Sequence, residues 1–176
     1  MIKFHFNDDF LQQTVCNILI SKNFLFTQEN NEKFFTIIHV SDETSILSIK
    51  MNNDICRLQK PINFEMFFQT ILNMLTNYKI SLNEMIFYPF KQKLFYKNKK
   101  IYLNDIHNKI FCYLYLYKDD GVDKYFIYEK IWPNDKELFI NKLDSHLSNV
   151  KNEIQENLNF NFDYSSKKKL IKLITN

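Results

Sequence analysis

One amphipathic segment near the carboxyl end constrains the fold of this chain more than any other feature. Within residues 138–155, apolar side chains recur at steps of four, three and four residues, which is the spacing of one face of an α-helix. These side chains are Leu143, Leu147, Val150 and Ile154. The sequence therefore predicts a single long helix whose apolar stripe is buried inside a folded unit.

The opposite side of this predicted helix is polar and carries amides, hydroxyls and amino groups. Its members are Asn141, Lys142, Ser145, Ser148, Asn149, Lys151 and Asn152. Amides and hydroxyls can hydrogen-bond base edges in a DNA major groove, and lysines can pair with phosphates. This face is therefore interpreted as a DNA-reading surface, with an ordinary solvated helix face as the alternative.

Composition argues against several classes of protein. The chain has 176 residues, enough for one ordinary domain or two small ones. It has no apolar run long enough to span a bilayer and no secretion signal at its start. Its three cysteines, Cys16, Cys56 and Cys112, are far apart, and we expect buried thiols in a reducing cytoplasm.

Charge is distributed unevenly along the chain. Residues 1–78 contain six basic and eight acidic side chains, whereas residues 79–176 contain seventeen basic and twelve acidic ones. A basic second half is better suited to a polyanionic partner than an acidic first half. We therefore expect two modules, 1–78 and 79–176, joined by a short polar connector near residues 77–82.

The first module mixes strand and helix patterns. Residues 2–6 alternate between apolar and polar, and Asp8 and Asp9 can cap a helix that follows. Further strands are predicted at 24–27 and 34–40, with short ones within the ambiguous stretch 44–59. A helix after Lys60-Pro61 is predicted to bury Phe64, Phe67, Phe68, Ile71, Leu72 and Leu75.

The second module follows a different order of elements. Strands are predicted at 86–90 and 93–103, the latter folded back on itself, followed by a helix capped by Asn104. Gly121, the only glycine, is placed where a helix end needs a positive φ. A short helix to Trp132, the long helix from Leu138 and a terminal hairpin with its turn at 165–169 complete the order. Strands, three helices and a hairpin predict a winged helix-turn-helix.

Residues 85–176 resemble the winged-helix DNA-binding domain of OmpR/PhoB-type bacterial response regulators. The resemblance is carried by Trp132 and by the run N-K-L-D-S-H-L-S-N-V-K at 141–151, which is similar to the family's N-T-[LV]-D-V-H-I-x-x-L-R. The resemblance implies DNA-facing positions at Asn141, Lys142, Ser145, His146, Ser148, Asn149, Lys151 and Asn152. It also implies that Trp132 lies against the phosphate backbone and that Ser165, Lys167, Lys168 and Lys169 form a wing tip in a minor groove.

This sequence departs from the family pattern at two places. Family members usually carry several arginines on this helix, whereas here it has only Lys142 and Lys151, with Asn149, Asn152 and Glu153 where basic residues are common. Lys168-Lys169-Leu170-Ile171 replaces the usual G-x-G-Y before the last strand. Packing is the alternative role of Trp132 and His146, and a solvated tip is the alternative for the lysine run. The family likeness therefore leaves the affinity for DNA open.

Residues 1–78 resemble a shortened receiver domain of the same family. A strand followed by Asp8-Asp9, and Lys60-Pro61 before the last helix, carry this likeness. A complete receiver is a flavodoxin-like doubly wound domain, and Lys60 arrives too early for one, so we expect a truncated flavodoxin-like α/β fold. Asp42 is the only candidate phosphoacceptor and is offset from the predicted strand, so we expect no control by phosphorylation.

Taken together, these features predict a bacterial transcriptional regulator that binds duplex DNA in the cytoplasm, in association with the nucleoid. Phe64, Phe67, Phe68 and Ile71 are the predicted homodimer contact, since a small module cannot easily bury so many phenylalanines. RNA polymerase is a further candidate partner. No enzyme motif, metal-ligand spacing or cofactor loop is present. The alternative function is a winged-helix protein-interaction module that has lost DNA binding.

Overall fold

The structure is a computed structural model that describes residues 1–22, 24, 26–27, 32–167 and 169–174. The side chain of Lys167 is outside this description. The chain divides into two compact units, Met1–Tyr78 (unit 1) and Lys79–Asn176 (unit 2). The described residues form five helices and three sheets, so the mixed α/β class is as predicted.

Unit 1 consists of one four-stranded sheet and two helices. Its elements are β1 (Ile2–Phe6), α1 (Asp9–Ser21), β2 (Thr36–Asp42), β3 (Ile46–Met51), β4 (Asp54–Gln59) and α2 (Phe64–Asn77). The strands lie in the order β1-β2-β3-β4, with β1 parallel to β2 and the other neighbours antiparallel. A doubly wound sheet is mostly parallel, whereas unit 1 has one βαβ crossover followed by an antiparallel meander.

The core of unit 1 follows from strand alternation and helix caps. Along β1, Ile2, Phe4 and Phe6 are buried while the side chains between them are not. The carboxylate of Asp8 caps α1 by accepting a hydrogen bond from the Leu11 amide at 2.7 Å, so capping is the role that the structure gives this residue.

Helix α2 buries four of the six residues of its predicted buried face, namely Phe67, Phe68, Ile71 and Leu75. Phe67, Phe68 and Ile71 are 3%, 4% and 0% exposed, and Phe67 packs edge-on against Phe6 at 6.4 Å. Phe64 alone of the predicted dimer residues is exposed, at 42%. The expectation that a small unit cannot easily bury Phe64, Phe67 and Phe68 together agrees with the exposure of Phe64, while Phe67 and Phe68 are covered within unit 1.

Three predicted strands of unit 1 have different limits. The stretch 24–27 forms no regular strand among its described residues, and Phe26 makes only an isolated parallel bridge to Ile2. Strand β2 begins at Thr36 and ends at Asp42, so Asp42 closes the strand and is not offset from it. Strands β3 and β4 form a full hairpin through Asn52, whose φ is +53°.

Unit 2 has two sheets and three helices. Its elements are β5 (Ile80–Leu82), β6 (Met85–Tyr88), β7 (Lys93–Tyr96), β8 (Lys99–Tyr102), α3 (Asp105–Leu116), β9 (Val122–Asp123), α4 (Lys124–Ile131), α5 (Ile140–Leu158), β10 (Asp163–Lys167) and β11 (Leu170–Ile174). One sheet is the antiparallel meander β5-β6-β7-β8, and the other has the order β10-β11-β9. Both sheets are antiparallel throughout.

Helix α3 is at the centre of the unit 2 core. Asn104 caps it by accepting a hydrogen bond from the His107 amide at 2.9 Å, as predicted. The Phe111 ring lies 4.7 Å from the Phe87 ring of the meander and 5.4 Å from the Phe162 ring. Beyond the helix, Gly121 has φ +81°, and an added Cβ would lie 3.3 Å from the Ile171 carbonyl oxygen. The prediction of a positive φ at this glycine is confirmed.

Two further features of the fold concern membrane-spanning helices and the cysteines. Within the described ranges, no helix is both long and apolar enough to cross a membrane. All three cysteines are free thiols; Cys16 and Cys112 are buried and Cys56 is half-buried. Burial raises the pKa of the Cys112 thiol to about 12, so this side chain behaves as a small apolar group.

Candidate nucleic-acid interface

Helix α5 is the long amphipathic helix that the sequence predicted. It begins at Ile140, two residues later than expected, because Phe139 takes the capping position without a side-chain hydrogen bond. Its buried residues are Leu143, Leu147, Val150, Ile154 and Leu158. The predicted stripe is therefore confirmed and continues for one further turn.

The opposite side of α5 is exposed and rich in amides. Its exposed residues of the predicted set are Asn141, Ser145, Ser148, Asn149 and Asn152. The hydroxyls of Ser145 and Ser148 donate to backbone carbonyls one turn earlier, at 2.9 and 3.0 Å. The amides of Asn149 and Asn152 form no hydrogen bond with the described residues, so their donors and acceptors are available to a ligand.

Trp132 ends α4 and holds the loop that leads into α5. Its ring lies 4.8 Å from that of Tyr128, and its backbone amide donates to the Tyr128 carbonyl at 2.8 Å. The Nζ of Lys142 lies 4.3 Å from the centre of the indole ring, within the range of a cation–π contact. The indole is half-buried, so Trp132 has a packing role and also an exposed edge.

Lys142 and Tyr128 meet at one carboxylate in the same loop. Asp135 accepts a hydrogen bond from the Lys142 amino group at 2.9 Å and from the Tyr128 hydroxyl at 2.6 Å. The hydrogen bonds from Lys142 and then Tyr128 lower the pKa of Asp135. The charge of Lys142, a predicted phosphate contact, is thus directed at Asp135 in the free protein.

His146 lies in a network that ties α5 to α3. Its Nδ1 is 3.4 Å from the Nε2 of His107, and the Nδ1 of His107 is 2.8 Å from a carboxylate oxygen of Glu153. The His146 ring also lies 5.5 Å from that of Trp132. His146 is half-buried, which supports a packing role for the side chain beside any contact with a ligand.

Burial is the first cause that lowers the pKa of His146, followed by the positive charges of His107 and Lys142. The imidazole therefore resists protonation in the folded unit and presents neutral nitrogen atoms near pH 7. A neutral ring can donate and accept a hydrogen bond but offers no charge to a phosphate.

Lys151 connects α5 to the terminal hairpin. Its amino group donates to a carboxylate oxygen of Asp163 at 2.9 Å. This hydrogen bond, followed by one from the Tyr164 amide, lowers the pKa of Asp163. Both lysines of α5 are therefore engaged by carboxylates of their own unit.

The hairpin of β10 and β11 differs in part from the predicted wing. Ser165 and the backbone of Lys167 belong to β10, so the turn is shorter than the predicted 165–169. Lys168 and the side chain of Lys167 lie outside the described residues. Lys169 is exposed, and its Nζ lies 5.0 Å from the Tyr125 ring at the start of α4. The structure thus places one described wing lysine beside an aromatic side chain of α4.

Several contacts of this site lie beyond what the sequence analysis found. His107 and Glu153 are separated by 46 positions in the chain, and Lys124 pairs with Asp144 at 2.5 Å across 20 positions. No periodic pattern relates residues that are so far apart. Only the polar identity of Glu153 beside the buried stripe hinted that it had a partner.

The residues that carried the receiver likeness are only partly brought together. The Lys60 amino group pairs with the Asp42 carboxylate and also donates to the Glu43 carbonyl at 2.8 Å. No group of three or more metal-binding side chains occurs in the part of the chain that the structure describes. No protein-family model and no curated protein matches this chain, so its function is inferred from the arrangement of its own side chains.

Proposed function

We propose that unit 2 is a winged helix-turn-helix domain that binds duplex DNA through α5, and that the protein is a transcriptional regulator. The observation that carries this proposal is the division of α5 into two sides. One side is buried from Leu143 to Leu158, and the other presents the unengaged amides of Asn149 and Asn152. An amphipathic helix that hides its apolar side and opens its amides to solvent is suited to a major groove.

The order of elements in unit 2 supports the same function. A four-stranded meander, three helices and a hairpin whose strand β11 pairs with β9 make up the arrangement expected of a winged helix. The Lys151–Asp163 pair fixes the hairpin against α5. A fixed hairpin would let one duplex meet the helix and the hairpin together.

The contacts proposed for the duplex follow from side-chain chemistry. An asparagine amide can bond both N6 and N7 of an adenine edge, which assigns base contacts to Asn149 and Asn152. Lys142 and Lys151 would exchange their carboxylate partners for phosphates. This exchange costs little, because both lysine side chains are about one-third exposed, at 38% and 32%, and exposed ion pairs contribute about 1 kcal/mol or less.

Fluorescence anisotropy with labelled duplexes from the organism's own promoters tests the proposal. We expect binding whose logarithm falls linearly with the logarithm of salt concentration, by about 0.9 per phosphate contacted. Asn149→Asp should weaken it by about 1–3 kcal/mol, roughly 5-fold to 150-fold. Asn73→Asp is the matched control, since Asn73 is exposed on α2 of unit 1. Equal affinities of the two variants, or binding that ignores salt, would contradict the proposal.

A second candidate is a winged-helix module that binds protein and has lost DNA binding. The observation that favours it is the engagement of both α5 lysines by Asp135 and Asp163, which leaves α5 with no unpaired cation. This candidate predicts that no promoter duplex binds in a salt-dependent way. A duplex bound more weakly by Asn149→Asp excludes it.

For unit 1 we propose self-association without control by phosphorylation. Since Phe67, Phe68 and Ile71 are buried within their own unit, Phe64 is the remaining candidate contact of the predicted set. Its ring is 42% exposed and stacks on the Phe68 ring at 6.0 Å. The contact would therefore be smaller than the sequence predicted.

A further inference from the structure

The sheet of unit 1 is covered by helices on one face. Leu11 of α1, Leu47 of β3 and Phe67 of α2 line one cavity of about 700 Å³ on that face. The exposed side chains that alternate onto the other face are His5, His39, Lys50, Ile55, Arg57 and Gln59. An antiparallel sheet tolerates such an open face when its residues are polar.

The strand register brings these exposed side chains into neighbouring rows. His5 of β1 lies opposite His39 of β2, His39 lies opposite Lys50 of β3, and Lys50 lies opposite Ile55 of β4. The two imidazole rings are 5.4 Å apart in an edge-to-face arrangement. Arg57 lies opposite Ser48 in the next row. Two imidazole rings, two cations and one isoleucine therefore lie next to one another on the same sheet face.

The charge on this face has one sign, although unit 1 as a whole holds more acidic than basic residues. By alternation, β1–β4 place on it Lys3, Lys50 and Arg57 beside His5 and His39, and no aspartate or glutamate of these four strands. Lys50 and Arg57 form no ion pair with any residue that the structure describes, so no described carboxylate neutralises their charges.

The surroundings of His39 lower its pKa. Burial lowers its pKa first, and the neighbouring charges of His5 and Lys50 lower it further. Like charges facing one another on a sheet are destabilising. A bound anion would relieve that repulsion.

We propose that this open sheet face is a binding site for single-stranded nucleic acid. Phosphates would pair with Lys50 and Arg57, and bases would lie on the imidazoles of His5 and His39. A hollow of about 340 Å³, lined in part by His39 and Lys50, opens beside them. A single strand fits best, because its unstacked bases use the rings and Ile55 while its phosphates use the cations. A duplex or an acidic protein segment would use the cations alone.

This site belongs to unit 1, whereas α5 belongs to unit 2, and the inference does not depend on the function proposed for unit 2. The test is anisotropy of the full chain with a labelled single-stranded oligothymidine of about 12 nucleotides, a length within the usual site sizes. We expect Lys50→Ala and Arg57→Ala each to weaken binding and to make the log–log salt slope shallower by about 0.7. Lys22→Ala is the matched control, since Lys22 is exposed at the end of α1, and it should bind like the unaltered chain.

Two variants of His39 separate stacking from charge. His39→Phe keeps a ring on this sheet face and should retain binding. His39→Ser should bind about 5-fold or more weakly, since a base–aromatic contact contributes about 1–3 kcal/mol. Circular dichroism melts establish that each variant is folded. Equal losses for Lys50→Ala and Lys22→Ala, or competition by polyglutamate as effective as by unlabelled oligothymidine, would overturn the proposal.

Discussion

Replacing Leu147 with alanine should destabilise unit 2 while an alanine on the opposite side of α5 should not. Leu147 is fully buried at the middle of the stripe, between Leu143 and Val150. The substitution removes three buried carbons, worth about 0.8 kcal/mol each, or roughly 2.4 kcal/mol. The cavity left behind adds to this cost, so we expect a loss of about 3–4 kcal/mol in the free energy of unfolding.

The matched substitution is Asn149→Ala, two positions along the same helix. Asn149 is exposed and forms no side-chain hydrogen bond with the described residues, so its removal should change the free energy of unfolding by about 0.5 kcal/mol or less. The chain has one tryptophan, Trp132, and it lies in unit 2. Urea unfolding followed by tryptophan fluorescence therefore reports this unit without a signal from unit 1.

The order of the two variants should be reversed for DNA binding, with Asn149→Ala now the more damaging change. Under conditions where both are folded, Asn149→Ala should weaken binding of a promoter duplex and Leu147→Ala should not. If Leu147→Ala costs no more stability than Asn149→Ala, α5 is not docked through this stripe, and the assignment of its two sides fails. The same result would remove the basis for a DNA-reading face.

Three further results are expected. Because the pKa of His146 is lowered in the folded unit, the unfolded chain binds more protons than the folded unit at pH values below the ordinary 6.5. The free energy of unfolding, followed by Trp132 fluorescence, should therefore decrease as the pH is lowered through this range, and it should decrease less in His146→Phe. Equal pH slopes of the two proteins would count against the network of His146 and His107. Phe64→Ser should shift any dimer toward monomer in analytical ultracentrifugation without unfolding unit 1, whereas Phe68→Ser should unfold it, since Phe68 is 4% exposed; an unchanged equilibrium would exclude Phe64 as the contact. Acetyl phosphate should leave Asp42, which pairs with Lys60, unlabelled in mass spectrometry, and a phosphorylated Asp42 would refute the absence of phosphorylation control.

Local patterns in the sequence were sufficient for much of the secondary structure. The stripe of α5, the caps by Asp8 and Asn104 and the positive φ of Gly121 all appear as predicted. Each depends on residues within about one or two helical turns of one another, so the types and spacing of neighbouring residues are enough to predict it.

Other features were decided only when distant segments packed together. The burial of Phe67 and Phe68 depends on the sheet beneath α2, whose extent no helical repeat reveals. The partners of Lys142 and Lys151, seven and twelve positions away in irregular or strand segments, likewise depend on how the loop and hairpin fold back.

The open cationic face of unit 1 arises in the same way. Alternation within each strand shows which side chains share a side, but it does not show which strands are neighbours or which side the helices cover. The register that aligns His5, His39 and Lys50 is set by the pairing of β1 with β2, whose partner residues are about 34 positions apart, and of β2 with β3. The sequence alone therefore determined the faces of individual helices and strands, while the tertiary structure decided which faces met, because pairing and packing energies act between segments that the chain order does not relate.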